Sequence, residues 1–373
     1  MSNSRIRVLL TGGGTGGHIY PALAIGKGIE AKVKSEFLYV GTTRGLEADL
    51  AAKAGYAFKA VTAEGLSRKL SWAAVRAGLK SCKGAFEAWQ IIKEFKPHVV
   101  IGTGGYVCGP VVLVASKLGI PTLIHEQNAY PGITNKILAR FVDKICVTFA
   151  ESKKYFKTKG QIVHTGLPIR QDILAATRAE GLEHFNIPAE RTNILVVGGS
   201  LGAQRLNEAV ASIYPFIIKH PEYQLIHVTG KSGYEDHLAK AKKQGIYLDN
   251  VGNIIIKPYI YQMDKALAAA DIIIGRAGAS FLAEIMARGL PSILVPYPFA
   301  AENHQEHNAR TLEKAKAARV ILEKDLDGNI LLQNLEELLL DKNEMNRMAE
   351  ASKLLGRPEA LHKIVDEVMK LVK

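Results

Sequence analysis

The sequence predicts an α/β protein of two doubly wound, Rossmann-like domains facing a cleft. Three observations carry that expectation. Short β-rich apolar runs alternate with longer segments of helical period, the pattern of parallel βαβ units. The cycle breaks at a Gly-Leu-Pro-Ile-Arg segment, 166–170, and then starts again. At 373 residues the chain also exceeds the comfortable size of one hydrophobic core, so two domains of roughly 150 to 200 residues are expected.

In the first half the strands fall at 6–11, 37–41, 99–102, 122–125 and 144–148; in the second, at 193–198, 224–229, 254–257, 271–275 and 292–296. Each half opens with a strand that runs into glycines and then a helix, at 8–18 and 195–203, which makes a weak internal repeat. Ligands of open α/β sheets sit beyond the carboxyl ends of the strands, so both glycine loops should border one cleft. The expected domains are 1–166 and 167–356. A last helix within 357–373 is a candidate to pack back on the first domain.

Composition narrows the class. With 47% hydrophobic and 23% charged residues, the chain reads as an ordinary folded protein. Its net charge of +12 attracts phosphates, nucleic acid or acidic lipid, and sign alone does not choose among them. The charge is dispersed and no recognition module is present, so nucleic acid is not an expected partner. No apolar run approaches the roughly 18 to 20 residues that span a bilayer, and the N-terminus lacks signal-peptide regions, so a cytoplasmic location is expected. Cys82, Cys108 and Cys146 are odd in number and lack CxxC spacing. They are expected to be inert thiols, with neither a disulfide framework nor a metal site.

The candidate chemistry begins at 12–17, a formal GxGxxG. A dinucleotide site also needs an acid at the end of the second strand, but that strand ends Tyr39-Val-Gly-Thr-Thr43. What remains is a diphosphate approaching bare N–H groups at a helix N-terminus. His18 follows in the first helical turn. It is a candidate general base near neutral pH, or else a helix-start residue that binds phosphate or caps a neighbour; the residues leave both open.

A second glycine turn, 102–110, offers another nest of amides, so Gly14, Gly104, Gly105 and Tyr106 are candidates for a pyrophosphate. Ordinary turn chemistry is the alternative. At 125–132 four polar side chains end an apolar strand, a costly choice unless they face a ligand. Glu126, a second candidate catalytic residue, and Asn128 are the expected contacts, with His125 read as core.

In the second half, Ser200 adds a hydroxyl to the turn at 198–202. Arg170 either neutralises a diphosphate or forms an interdomain salt bridge. Glu284 stands about one turn inside a helix, where a carboxylate accepts from both ribose hydroxyls. Gln305 and Asn308, three apart and so on one helix face, reach toward sugar hydroxyls, or else mark a solvated helix start. The stretch 66–83 mixes five cationic residues with Leu, Trp and Val, which fits an interfacial surface on anionic lipid or an ordinary amphipathic helix.

Taken together, Gly13-Gly-Thr-Gly-Gly-His18, Gly104-Gly-Tyr-Val, His125-Glu-Gln-Asn128, Gly198-Gly-Ser-Leu-Gly-Ala203, Gly278-Ala279 with Glu284, and Asn303-His-Gln with Asn308 resemble one family in order and spacing. It is the MurG-type N-acetylglucosaminyltransferases of peptidoglycan synthesis, in glycosyltransferase family 28. The likeness spans nearly the whole chain.

That resemblance implies a GT-B fold and an inverting transfer without metal or other cofactor. The donor would be UDP-GlcNAc and the acceptor undecaprenyl-pyrophosphoryl-MurNAc-pentapeptide, lipid I becoming lipid II through a β-1,4 linkage. The first domain would face the acceptor and the anionic surface of the cell membrane, peripherally on its cytoplasmic side; the second would bind the donor. Carried over residue by residue, the donor contacts are Thr15, Gly16, Gly17, Asn128, Arg170, Ser200, the backbone of Ile260, the run Ala279, Ser280, Phe281, Leu282, Ala283 and Glu284, and Gln305. Two positions depart from the family pattern: His304 stands where a second Gln is common, and Leu201 where some members have Gln. Related transferases that glycosylate diacylglycerol, UDP-GlcNAc 2-epimerases and a non-catalytic sugar-nucleotide scaffold are the rival expectations.

Overall fold

The computed structural model describes residues 5–43, 45–64, 72–199, 202–243, 245–246 and 251–372, and of 72–81 the backbone alone. Two compact units divide the chain. Unit 1 comprises Met1–Pro168 and Pro358–Lys373; unit 2 is Ile169–Arg357.

Unit 1 runs β1 (Ile6–Thr11), α1 (Gly16–Lys32), β2 (Ser35–Gly41), α2 (Glu47–Lys53), β3 (Ala57–Ala60), α3 (Trp72–Phe95), β4 (Val99–Gly102), α4 (Cys108–Lys117), β5 (Thr122–Glu126), α5 (Ile133–Leu138), β6 (Lys144–Val147) and β7 (Gln161–His164). Its strands form one parallel sheet in the order β3-β2-β1-β4-β5-β6-β7.

Unit 2 runs α6 (Gln171–Ala175), α7 (Arg178–Phe185), β8 (Thr192–Val197), α8 (Gln204–Lys219), β9 (Tyr223–Val228), α9 (Tyr234–Lys243), β10 (Ile254–Lys257), α10 (Met263–Ala269), β11 (Ile272–Gly275), α11 (Ala279–Arg288), β12 (Ser292–Leu294), α12 (His304–Lys314), β13 (Ala318–Val320), α13 (Gly328–Leu340) and α14 (Lys342–Leu355). Its parallel sheet has the order β10-β9-β8-β11-β12-β13. The closing helix, α15 (Ala360–Val372), belongs to unit 1.

Helices cover both faces of each sheet, so the central strands are apolar on both sides rather than alternating. In β1, Val8 and Leu10 pack with Ile19, Ile25 and Ile29 of α1, while Leu9 points the other way toward Val100, Val111 and Ile124. On the first face α15 adds Ile364, Val365 and Val368. It can lie close to α1 because residue 28 is glycine: a Cβ there would stand 2.9 Å from Leu361 and Val365. Buried Lys144 and Glu367 pair between β6 and α15.

In both sheets the strand order reverses beside the first strand, between β1 and β4 and between β8 and β11. At such a switch point the loops at the carboxyl ends diverge and leave room for a ligand. Three strands fall outside the sequence expectation: β3, β7 and β13, each at a sheet edge. Their exposed and half-buried residues interrupt the apolar runs by which the inner strands are read.

Candidate active site

In unit 1 the chain leaves β1 at Thr11, turns through the glycines, and enters α1 behind Thr15, the residue that caps the helix in extended conformation. No acid occupies the first turn of α1, and with the His18 and Ile19 N–H groups bonded to Thr15 O, the Gly16 and Gly17 amides stand at the positive end of the dipole, which favours an anion. The turn is fastened to the second glycine turn after β4. Gly13 N–H donates to Gly104 O at 3.2 Å, and Thr103 Oγ1 donates to His18 O at 2.7 Å. Tyr39 Oη donates to Gly12 O at 2.6 Å. Tyr106 lies over Gly14, with a ring carbon 3.4 Å from where a Cβ would stand. The structure thus brings together Gly14, Thr15, Gly16, Gly17, His18, Gly104, Gly105 and Tyr106.

His18 is held in a defined tautomer. Its Nδ1 lies 3.0 Å from the Gly13 carbonyl, which can only accept, so Nδ1 carries the proton and the neutral ring keeps its lone pair on Nε2. The ring edge rests on Gly104, whose φ is +105°; a Cβ there would stand 2.9 Å from Cδ2 and 3.1 Å from Nε2. Gly104→Ala should displace the imidazole and lower kcat by about tenfold, a modest share of what a 1 Å misplacement can cost. Steady-state kinetics with a parallel melting curve would check this, and an unaltered kcat would count against the seat.

Two residues beside this site have parts that the sequence reading did not assign. Glu47, fully buried at the start of α2, accepts from Gly14 N–H at 3.1 Å and from Thr42 Oγ1 at 3.5 Å. Nothing local separates it from an ordinary first-turn acid. Cys108, expected to be inert, has a structural part: its thiol lies 2.9 Å from Gly104 O and 3.1 Å from Thr11 O, and accepts from Gly104 N–H at 3.2 Å. Burial pushes that thiol up to about 11, so it stays protonated and able to donate.

Glu126 requires a correction. It is only 2% exposed. One carboxylate oxygen accepts from the Asn128 backbone N–H at 3.0 Å and from its side-chain amide at 3.3 Å; the other accepts from Gly132 N–H at 3.2 Å and from Asn135 Nδ2 at 2.8 Å. Burial raises its pKa and those donors oppose the rise. A carboxylate engaged by four donors shapes the 127–135 loop, and Asn128 with it, rather than exchanging protons with substrate. His125 is core, bonded at 2.9 Å to Gly166 O, and burial lowers it to about 4.

In unit 2, Ser200 lies outside the described residues, as do 66–71 of the basic stretch at 66–83 in unit 1, of which 72–81 are described by backbone alone. Arg170, at the start of α6, directs Nε to within 3.7 Å of a Glu284 oxygen and NH1 to within 3.5 Å of Asp172. Both partners belong to its own unit. Glu284, on α11, has its carboxyl raised to about 7, chiefly because burial removes water from the charged form, with Arg170 opposing and Asp172 assisting the rise. The start of α11 behind Gly278 has no acid in its first turn.

Three assignments in unit 2 change. Leu282 and Ala283 turn their side chains into the core, and the Leu282 N–H is already bonded to Gly278 O, so the amides of Ala279, Ser280 and Phe281 are the ones left at the helix start. Asn308 is fully buried and donates to Ala277 O at 3.2 Å, which holds a loop instead of a sugar. Gln305, on the same face of α12, accepts from Ala277 N–H at 3.2 Å and Tyr297 N–H at 3.0 Å, and so ties the loops after β11 and β12. His304 lies beside it, half-buried, its Nδ1 donating to Ala301 O at 2.6 Å. Ile260 is buried.

Arg276, also given no role in the sequence reading, donates to Val295 O at 3.1 Å and pairs with Glu323 behind the same loops. Among the described residues no three His, Cys, Asp or Glu side chains gather as a metal site. No described helix is long and apolar enough to cross a membrane.

Comparison with known proteins places this geometry. The glycosyltransferase family 28 N-terminal domain matches residues 8–147 and the C-terminal domain of the same family matches 193–364. A protein of Desulforamulus reducens, named UDP-N-acetylglucosamine--N-acetylmuramyl-(pentapeptide) pyrophosphoryl-undecaprenol N-acetylglucosamine transferase, is 51% identical over 98% of this chain and 99% of its own length. A protein of the same name from Moorella thermoacetica is 48% identical over the same shares. The crystal structure of Acinetobacter baumannii MurG superposes with a TM-score of 0.79 at 32% identity, covering 98% of this chain and 99% of that one.

Proposed function

The chain belongs to the MurG-type branch of glycosyltransferase family 28, and from that premise we propose that it transfers N-acetylglucosamine from UDP-GlcNAc to the 4-hydroxyl of lipid-linked MurNAc-pentapeptide, converting lipid I to lipid II with inversion. The observation that carries the chemistry is His18. Its Nε2 lone pair is set by the Gly13 carbonyl at the head of α1, between two linked glycine turns.

In this reaction the acceptor's 4-hydroxyl attacks the anomeric carbon, His18 Nε2 takes its proton, and UDP leaves. Gly14, Gly104, Gly105 and Tyr106 line the acceptor's pyrophosphate, with the Gly105 and Tyr106 amides as donors, since the Gly14 and Gly104 N–H groups are taken by Glu47 and Cys108. In unit 2, the amides of Ala279, Ser280 and Phe281, Arg170, Ser200 and the start of α8 meet the charge that builds on the departing diphosphate. Glu284 accepts from the ribose hydroxyls. The Ile260 backbone contacts the base, and Gln305 the sugar. The direct test is radiolabelled UDP-GlcNAc with a short-chain lipid-pyrophosphate muramyl peptide. Label should pass to a lipid-linked disaccharide. Transfer to diacylglycerol instead, or epimerised UDP-sugar with no acceptor present, would replace this reading.

Docking on an anionic membrane surface is part of the same proposal. On α3, Phe86 and Trp89 are 59% and 42% exposed, stacked 5.9 Å apart, with exposed Lys83 one turn before them. Apolar rings beside cations favour an interface with acidic lipid. Sedimentation with phosphatidylglycerol vesicles should carry the protein down, more weakly as salt rises, and Phe86→Ser with Trp89→Ser should release it. Equal recovery with neutral vesicles would count against an anionic surface.

A further inference from the structure

Five residues that the transfer chemistry does not use form one hydrogen-bonded chain inside unit 2. On α9, His237 Nε2 lies 2.7 Å from Tyr214 Oη of α8. Tyr214 Oη is also 2.7 Å from His227 Nδ1 on β9. His227 Nε2 lies 3.1 Å from Asn207 Oδ1 near the start of α8, and Asn207 Nδ2 donates to Thr229 O at 2.9 Å. All five residues are buried.

One arrangement of protons satisfies every link. A carbonyl only accepts, so Asn207 turns its NH2 to Thr229 and its oxygen to His227. That oxygen calls for a proton on His227 Nε2, which leaves Nδ1 of the neutral ring to accept from the Tyr214 hydroxyl. The hydroxyl oxygen then accepts from His237 Nε2–H. Burial holds His227 well below the ordinary histidine range, and neighbouring His237 pushes the same way, so the neutral ring is the stable form.

Packing alone does not call for such a chain. Tyr214 sits among Leu206, Val210, Ile217 and Leu225, where phenylalanine would fill the same space without a polar group to satisfy. Instead the chain ends on the backbone that packs against Gly202, just before the entry to α8. Gly202, at φ +80°, lies so near Thr229 that a Cβ would overlap the Thr229 carbonyl oxygen. Asn207 also bonds through its own N–H to Ala203 O at 2.8 Å, at the entry to α8.

We propose that Tyr214, His227 and His237 are positioning residues for donor binding: acting through Asn207 they hold the Thr229 carbonyl, and with it Gly202 and the N-terminus of α8, in the form that receives the donor's diphosphate. This rests on the reading of the α8 entry as a diphosphate site.

Tyr214→Phe removes one oxygen and keeps the volume. The KM for UDP-GlcNAc should rise about three- to tenfold, with kcat and the acceptor KM within about twofold of wild type. His237→Gln retains a donor toward Tyr214 and should restore the wild-type KM, whereas His237→Leu should behave like Tyr214→Phe. A normal KM in Tyr214→Phe, with only the melting temperature lowered, overturns the proposal and leaves the chain to stability. Gly202→Ala, with its fold checked by circular dichroism, tests the reading underneath by calorimetric titration with UDP-GlcNAc. Unchanged binding there would remove the α8 entry as the donor site and the positioning role with it. Impaired binding there beside a normal Tyr214→Phe would sink the positioning role alone.

Discussion

Replacing His18 with alanine is expected to lower kcat by roughly 10² to 10⁴-fold, the usual share of general-base catalysis, with the KM for UDP-GlcNAc changed by no more than about a factor of two. Three features support an effect of that size. The Gly13 carbonyl accepts from Nδ1–H, so the lone pair stands on Nε2 without waiting for a tautomer change. The ring is seated on Gly104, which limits its rotation. It also lies in the first turn of α1, beside the two linked glycine turns. Single-turnover measurements with saturating acceptor isolate the chemical step. A wild-type rate would remove His18 from proton transfer and leave it as a capping or phosphate-binding residue.

The second large effect concerns Glu284. Ribose hydroxyls donate to a carboxylate, so the nucleotide selects the ionised form, whereas burial raises the carboxyl to about 7. Above that pH the group is already ionised and affinity for the donor should be level. Below it, binding must first expel a proton, so KM for UDP-GlcNAc should climb by up to about tenfold per pH unit, until the pH reaches the lower pKa of the bound form. Glu284→Gln should flatten this profile. Glu284→Ala should cost about 10- to 10²-fold in kcat/KM, the range expected when a charged hydrogen-bond acceptor is lost. Arg170, 52% exposed and only 3.7 Å from the carboxylate, is placed to exchange that partner for the donor's diphosphate. A wild-type KM that stays level between about pH 5.5 and 8 would sink the assignment of Glu284 to the ribose.

The fold was legible wherever burial left a simple mark. β1, β4, β8 and β11 are buried on both faces, and a strand of that kind is an unbroken apolar run whatever lies around it. The edge strands β3, β7 and β13 carry residues such as Lys59, Gln161 and Arg319, and their strand character comes from pairing with a neighbour. The glycine turns were legible too, because strand, glycines and helix follow one another directly in the chain. Glu126, Leu282 and Asn308 were assigned to substrate because a residue at a strand end or helix start can face a ligand or the protein equally well. Asn135 and Ala277, which claim two of them, lie 9 and 31 residues away.

The sequence by itself determined two parallel α/β units, the glycine turns at their switch points, and His18 at the head of α1, since each depends on residues adjacent in the chain. Tertiary structure alone decided which polar groups are spent inside the protein. Glu47 reaches Gly14 across 33 positions, and Cys108 reaches Thr11 across 97. Tyr214 finds two histidines on separate elements. Periodicity and turn propensity act over a few residues, whereas a buried donor or acceptor must find its partner wherever packing has brought one, and no local pattern records that distance.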